Sequence, residues 1–594
     1  MKHPKLRVLN HSRQMVDVFK GYNHNLRIGE GEFFDMENMT SDHYPVLSPR
    51  GKRGIYATPT HPTGLISKDA LCYVDGAKFV INEYAIDMGL NDEPKQLISM
   101  GAYVIILPDR KWINTQCWDD YGTFNVDNGI GNIDAHFDNE ESRQDVTFSL
   151  CTIDGSDYEG TISSPNEPAK PENPGDIEFW VDTSSTPNTL KQYSKSASTW
   201  VQVPTTYIKI HCPGIGIGFN QYDGVDISGI ISPSLQDLNA SMVVWAKDDD
   251  NIVVTGILST EITQTAEEGV IHVDRRMPNM DFVIESGNRL WGCKYGVAAN
   301  GQVVNEIYAS KLGDFKNWRC FMGLSTDSYA ASCGTDGQFT GAITHMGQPL
   351  FFKENCVHKV YGNYPANFKI QDTACRGVQV GCHKSLAIVN ETLFYKARSG
   401  VCAYDGALPV EVSYAMGNES YSFAVGGAHG NKYYISMCDE LGDPHLFVYD
   451  TAKGMWHRED GFYVDCFCSC RGEMYAISGG KILTMRGSGT PVENAVEWFV
   501  ETGEIGISSP DMKYISRITL RMSMEVGAEV RIYAQYDMDD TWECQCALVG
   551  TNLRSFSIPL RPKRCDHMRL RIEGIGDAKI YSITKTIEQG SELS

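Results

Sequence analysis

The feature that most constrains this chain is a short phrase that recurs between residues 285 and 487. An apolar run rich in Tyr, Phe and Ile is followed by a tight turn and a second run. Copies start at Asn288-Arg289-Leu290-Trp291, Leu350-Phe351-Phe352, Thr392-Leu393-Phe394-Tyr395, Lys432-Tyr433-Tyr434-Ile435 and Glu473-Met474-Tyr475-Ala476. The copies lie ~40–50 residues apart, the period of propeller blades. One blade cannot bury both of its faces, so such units must stack around an axis. Earlier in the chain, Leu71-Cys72-Tyr73-Val74, an Asp75-Gly76 turn and Lys78-Phe79-Val80-Ile81 read as a hairpin. Ala102 to Leu107, with Pro108-Asp109-Arg110 as the turn before Lys111-Trp112-Ile113, reads the same way. If residues 61–115 supply two units, the total is about seven.

The expected fold is therefore all-β: a β-propeller of about seven blades with inserted small β modules and a C-terminal β-sandwich. Residues 1–60 carry prolines and little periodicity and read as an extended N-terminal arm, able to wrap its own domain or a neighbouring subunit. First blades are expected at 61–115 and the remaining ones at 271–490. Residues 116–270 break the repeat and read as inserted small β domains, with a linker near 165–174. Within them Trp180, Tyr193 and Trp200 lie on three short strands. They are candidates for stacking on sugar rings, though core positions of a tiny aromatic module suit them better. Residues 491–594 alternate apolar and polar over several runs, as in Arg517-Ile518-Thr519-Leu520-Arg521-Met522, and read as the sandwich. The segment Tyr449-Asp450-Thr451-Ala452-Lys453-Gly454-Met455-Trp456 resembles the blade end of kelch-type propellers, where a Trp closes the strand after a tight turn.

Composition narrows the function. With 52 Lys+Arg against 75 Asp+Glu, the net charge is -23, which argues against gripping nucleic acid by its phosphates. It fits a surface past which DNA slides without sticking, and equally a soluble acidic protein with no such role. The 18 Cys are mostly scattered, and the start of the chain has no apolar core of a signal peptide, so free buried thiols are expected. No run approaches ~20 apolar residues, so no membrane span is expected.

Few motifs carry chemistry. Cys466-x-Cys468-x-Cys470 falls on one strand face without a second ligand pair, so inward thiols are expected rather than a metal site. Gly334 to Gly341 matches a sialidase-type Asp box only loosely and reads as a turn. The acidic runs Asp248-Asp249-Asp250 and Asp537-Met538-Asp539-Asp540 read as solvated loops. The 15 His are spread singly and show no ligand cluster. No catalytic residue, cofactor or metal is expected.

Four phrases resemble a family of virion proteins from phages of Gram-positive gut bacteria, described as structural or DNA-stabilisation proteins. They are FFDMENMTSDHYPVLSPR at 33–50, GDFKNW at 313–318, FFKENCVHKVY at 351–361 and RCDHMRLRIEGIGDAKIYSITKTIEQG at 564–590. More distantly the propeller looks like tail hub or nozzle proteins of short-tailed phages. The resemblance implies a virion structural protein at the tail or head–tail junction, assembled in the host cytoplasm, and not an enzyme. Its implied partners are other tail, portal and adaptor proteins, a homo-oligomeric ring, and double-stranded DNA in passage. Two alternatives come from the modules: a host-surface glycan-binding tail module, and a propeller glycosidase.

Overall fold

In a computed structural model, residues 11–589 are described except for 140–145, 160, 173, 176–177, 185–187, 234, 257–264, 268, 298–300, 508–511, 538, 551–554 and 561–562. Nearly every element is a strand, and most sheets are antiparallel meanders. The first blade runs from Pro62–Lys68 out to Tyr84–Asp87, and the second from Gln96–Met100 to Ile130–Asn132. The next three open with Phe282–Ser286, Gly341–His345 and Ala387–Val389. The sixth opens with Ser422–His429 and the seventh with Cys466–Cys470. The opening strands adjoin one another in a closed cycle, with the turn His383–Ser385 completing the fifth position. They surround the axis of a β-propeller.

The ring is closed by a strand from the other end of the chain. Gly54–Ala57 pairs with Lys481–Thr484 as the outer strand of the seventh blade. The described part of the expected arm thus pairs within its own chain. His11–Val16 pairs with Ala578–Gln589 in the C-terminal sandwich. Gly21–Tyr22 bridges the sixth blade to Glu32–Glu37, which continues into Glu497–Thr502. A ten-stranded sheet results, half blade and half sandwich. Gly21 makes this junction possible. Its φ is +82°, and a Cβ there would sit 2.3 Å from the Trp456 carbonyl oxygen. Despite its prolines this segment is ordered into strands, because pairing partners more than 400 residues away satisfy its backbone.

Buried charge fixes the same junction. Arg53 reaches Glu459 at 2.6 Å and Asp460 at 2.8 Å, with its guanidinium 4.0 Å from the centre of the Phe462 ring. Arg50 reaches Glu493 at 2.7 Å and Asp460 at 3.2 Å. One continuous apolar core joins Phe33 and Met36 of the N-terminal segment, Phe394 and Tyr433 of the blades, and Val500, Leu520 and Ile572 of the sandwich.

The insertion leaves the propeller after the second blade and returns before the third. It spans 135–275 rather than 116–270, because Ile130–Asn132, a Gly-containing stretch without strand signature, pairs as the second blade's outer strand. Two sheets face each other over a separate core of residues such as Phe148, Ile210, Val225 and Val273. A third, small sheet carries Trp180. The expected linker at 165–174 is partly strand: Thr161–Glu167 pairs in parallel with Glu178–Asp182. Asn317, in the GDFKNW phrase, donates to the Tyr222 carbonyl oxygen at 2.6 Å and accepts from the Gly224 N–H at 3.2 Å. That phrase therefore docks the insertion on the third blade. Among the described residues no helix is long and apolar enough to cross a membrane.

Candidate functional site at the propeller axis

The first strand of a blade lines the axis, so residues at the start of those strands share one face of the propeller. Thr63, Lys95, Asp281, Lys384 and Cys466 all lie at such starts and border one axial cavity of about 790 Å³. The insertion springs from a loop on that same face. Its return segment, 277–281, forms part of the wall.

Apolar groups make up much of the lining, among them Leu97, Met280, Phe282 and Phe467. Lys95, Arg110, Lys294 and Lys384 also line it, against the single carboxylate of Asp281. The cations are held differently. Lys95 Nζ lies 2.5 Å from Asp109 and is wholly buried. Arg110 donates to Asp134 at 2.7 Å and also to Asn279. Lys294 is 2.6 Å from Asp281, which also accepts the Tyr295 N–H at 2.9 Å. Lys384 donates to the backbone carbonyl oxygen of Asp465 at 3.0 Å and is otherwise exposed to the cavity. The His383 ring stands 5.3 Å from that of Phe282. Burial, and then Lys384, holds its imidazole below the ordinary range. Burial raises the Asp465 carboxyl, against the opposing pull of Lys384 and Tyr463.

None of the aromatic candidates lies at this cavity. Trp180 is only 5% exposed. Its ring meets Trp200 edge-on at 5.6 Å, and Trp200 meets Tyr193 at 5.5 Å. The three are brought together as the packed centre of the small sheet. Cys466, Cys468 and Cys470 face the first blade, near Leu65 and Leu71, and none of the 18 Cys is paired. The Asp-box-like stretch is a turn in which Asp336 accepts from Gly337 N–H and Tyr295 O–H. Asp248 is used by its own loop, accepting from Asp250 and Asn251, and Asp537 accepts from Asp566 and His567. Residues of the axial cavity went unnoticed in the sequence because they are scattered over several blades, a few from each.

No family model matches the chain, and no curated protein matches it. Similar solved structures include an exo-β-1,3-galactanase from Phanerochaete chrysosporium, at 9% identity over 51% of this chain and 94% of that one, TM-score 0.21. PorZ, a surface component of the type-IX secretion system of Porphyromonas gingivalis, is 11% identical over 90% of this chain and 82% of that one, TM-score 0.26. Phage phi92 endosialidase is 9% identical over 78% of this chain and 69% of that one, TM-score 0.22. Against these findings two expectations are corrected: that the chain is a nozzle, hub or connector protein, and that it is not an enzyme. The structures it is similar to are named as glycan-cleaving enzymes and a secretion component. Residues 11–57, in the segment expected to wrap its own domain or a neighbouring subunit, pair within this chain.

Proposed function

We propose that the protein binds an anionic saccharide in the axial cavity. The carrying observation is the exposed Lys384 beside apolar lining in one cavity of an otherwise acidic molecule; Lys95, Arg110 and Lys294 are already ion-paired. Such a site concentrates negative ligands, and apolar walls with a few directed polar groups are what small-ligand sites require. Lys384, which no carboxylate in the cavity lining accompanies as Asp281 does Lys294, supplies the charge. Phe282 and Phe467, which line the same cavity, supply the apolar surface for a sugar ring.

The test is calorimetric titration of the full chain with a uronic-acid oligosaccharide and with its neutral counterpart. Binding of the acidic ligand alone is expected, weakened at least ~10-fold by Lys384→Ala, the scale of one charged hydrogen bond. Equal binding of both ligands, or binding indifferent to both Lys384→Ala and Phe467→Ala, would sink the reading.

A further inference from the structure

Two His-x-Asp phrases, His136-Phe137-Asp138 and His272-Val273-Asp274, lie far apart in sequence and meet in the insertion. Ala135–Asp138 and His272–Arg275 are antiparallel neighbours in one sheet, with His136 opposite Asp274 and Asp138 opposite His272. Alternation sends Val273 and Arg275 into the core and leaves all four His and Asp side chains on the outer face. Each His thus faces an Asp across the ladder, and the two imidazoles are diagonal, their ring centres 6.0 Å apart and nearly parallel. One ligand atom each from His136, Asp138 and His272 lies within 4.8 Å of the others.

The two nitrogens of His136 have separate tasks. Nδ1 lies 2.5 Å from Asp274, and Nε2 lies 2.9 Å from Asp138. Metal-binding imidazoles are commonly held with one ring N–H on a carboxylate; here Asp274 takes that place at Nδ1, and a metal at Nε2 would displace the proton that Nε2 shares with Asp138. Asp274 also holds Arg276 at 3.1 Å, and Asp226 on the next strand is paired with Arg319. Both acids are therefore engaged outside the cluster's centre, where ligand atoms of His136, Asp138 and His272 converge. Zinc takes such a set at about 2.0–2.2 Å, so side-chain rotations of about an ångström close the cage. Solvent supplies the fourth position, because this face is open.

We propose that His136, Asp138 and His272 form a zinc-binding site on the outer face of the inserted sandwich, with Asp274 as the residue that orients His136. The site is independent of the axial cavity and of the saccharide reading. A surface His–Asp hydrogen-bond ladder with no affinity for metal is the competing outcome.

The experiment uses the full chain, stripped with a chelator and returned to metal-free buffer. Zinc chloride is titrated against a chromogenic chelator, and bound metal is counted by mass spectrometry. Cys544→Ser and Cys546→Ser form the background, since the free thiol of Cys544 is exposed and thiolates compete for zinc. One equivalent is expected. His136→Ala with His272→Ala should abolish it, and Asp274→Asn should weaken it about 10–100-fold. Cobalt in place of zinc should show visible bands that disappear in the double His variant. The altered side chains lie on an outer face, and an unchanged melting curve of the metal-free variants verifies the fold. Absence of uptake by the parent chain, or an equivalent retained in the double His variant, overturns the proposal.

Discussion

The insertion and the C-terminal sandwich are both two-sheet β units, yet they are attached to the propeller in opposite ways. The sandwich shares a continuous core with the blades and borrows strands from the N-terminal segment. The insertion keeps its own core and touches the propeller through a short list of polar contacts. Its first and last strands pair directly, Ala135 opposite Arg275, so the chain leaves and returns at one point. Cooperativity should follow this difference. Sandwich and blades should unfold together, and the insertion should unfold by itself.

The largest effect is expected where buried charge ties sandwich to blade. Arg53→Ala leaves Glu459 and Asp460 without their main partner and should cost about 3–5 kcal/mol. Chemical denaturation followed by probes in both regions should show both transitions shifted together. A shift confined to one would break the comparison. Arg275→Ala strips the buried Asp223 carboxylate of its guanidinium, a loss of similar kind. Here amide exchange should rise within 135–275 while the blades remain protected.

A smaller effect concerns pH. His457 sits at the blade–sandwich junction, and burial pushes its imidazole down to about 3, with Lys432 adding to the fall. An unfolded imidazole titrates near ~6.5. Between those values the unfolded chain binds a proton that the native one does not. The contribution is fully present above ~6.5 and is lost, by roughly 1.4 kcal/mol per pH unit, as pH falls toward the native value. His457→Phe should remove that slope, measured as the difference between the two stability–pH curves. An unchanged slope would mean that the imidazole is not kept neutral. Its two ring nitrogens have no hydrogen-bond partner. An apolar ring of similar shape should therefore cost little at neutral pH. The smallest effect is expected from replacing 136–274 by a short Gly-Ser bridge: the propeller and sandwich should melt within about 1 kcal/mol of the parent. A large loss would show that the insertion supports the blades.

Much of this fold is legible in local sequence. The runs at Thr392, Lys432 and Glu473 are strands where expected, as are those at 529–536 and 580–586. Asp450 caps the turn after Tyr449, and Trp456 closes the blade, buried and donating to the Val412 carbonyl oxygen at 2.7 Å. The Glu543–Val549 strand was not anticipated, since its Cys-x-Cys and polar residues lack clean alternation. Nor were the roles of residues 11–57, where prolines dominate the local signal and distant partners decide the structure.

What the sequence determined by itself is the class of element and the need to stack: period, alternation and turn chemistry are short-range properties, carried by a dozen residues at a time. Three things were left to the tertiary structure: which end closes the ring, which charges share the axis, and which histidines meet. Each depends on residues far apart in the chain. Lys384 and Asp281 become neighbours of one cavity only when blades close into a cycle. His136 meets Asp274 only when the insertion's first strand pairs with its last. Backbone pairing at long range sets those positions, and no local pattern encodes it.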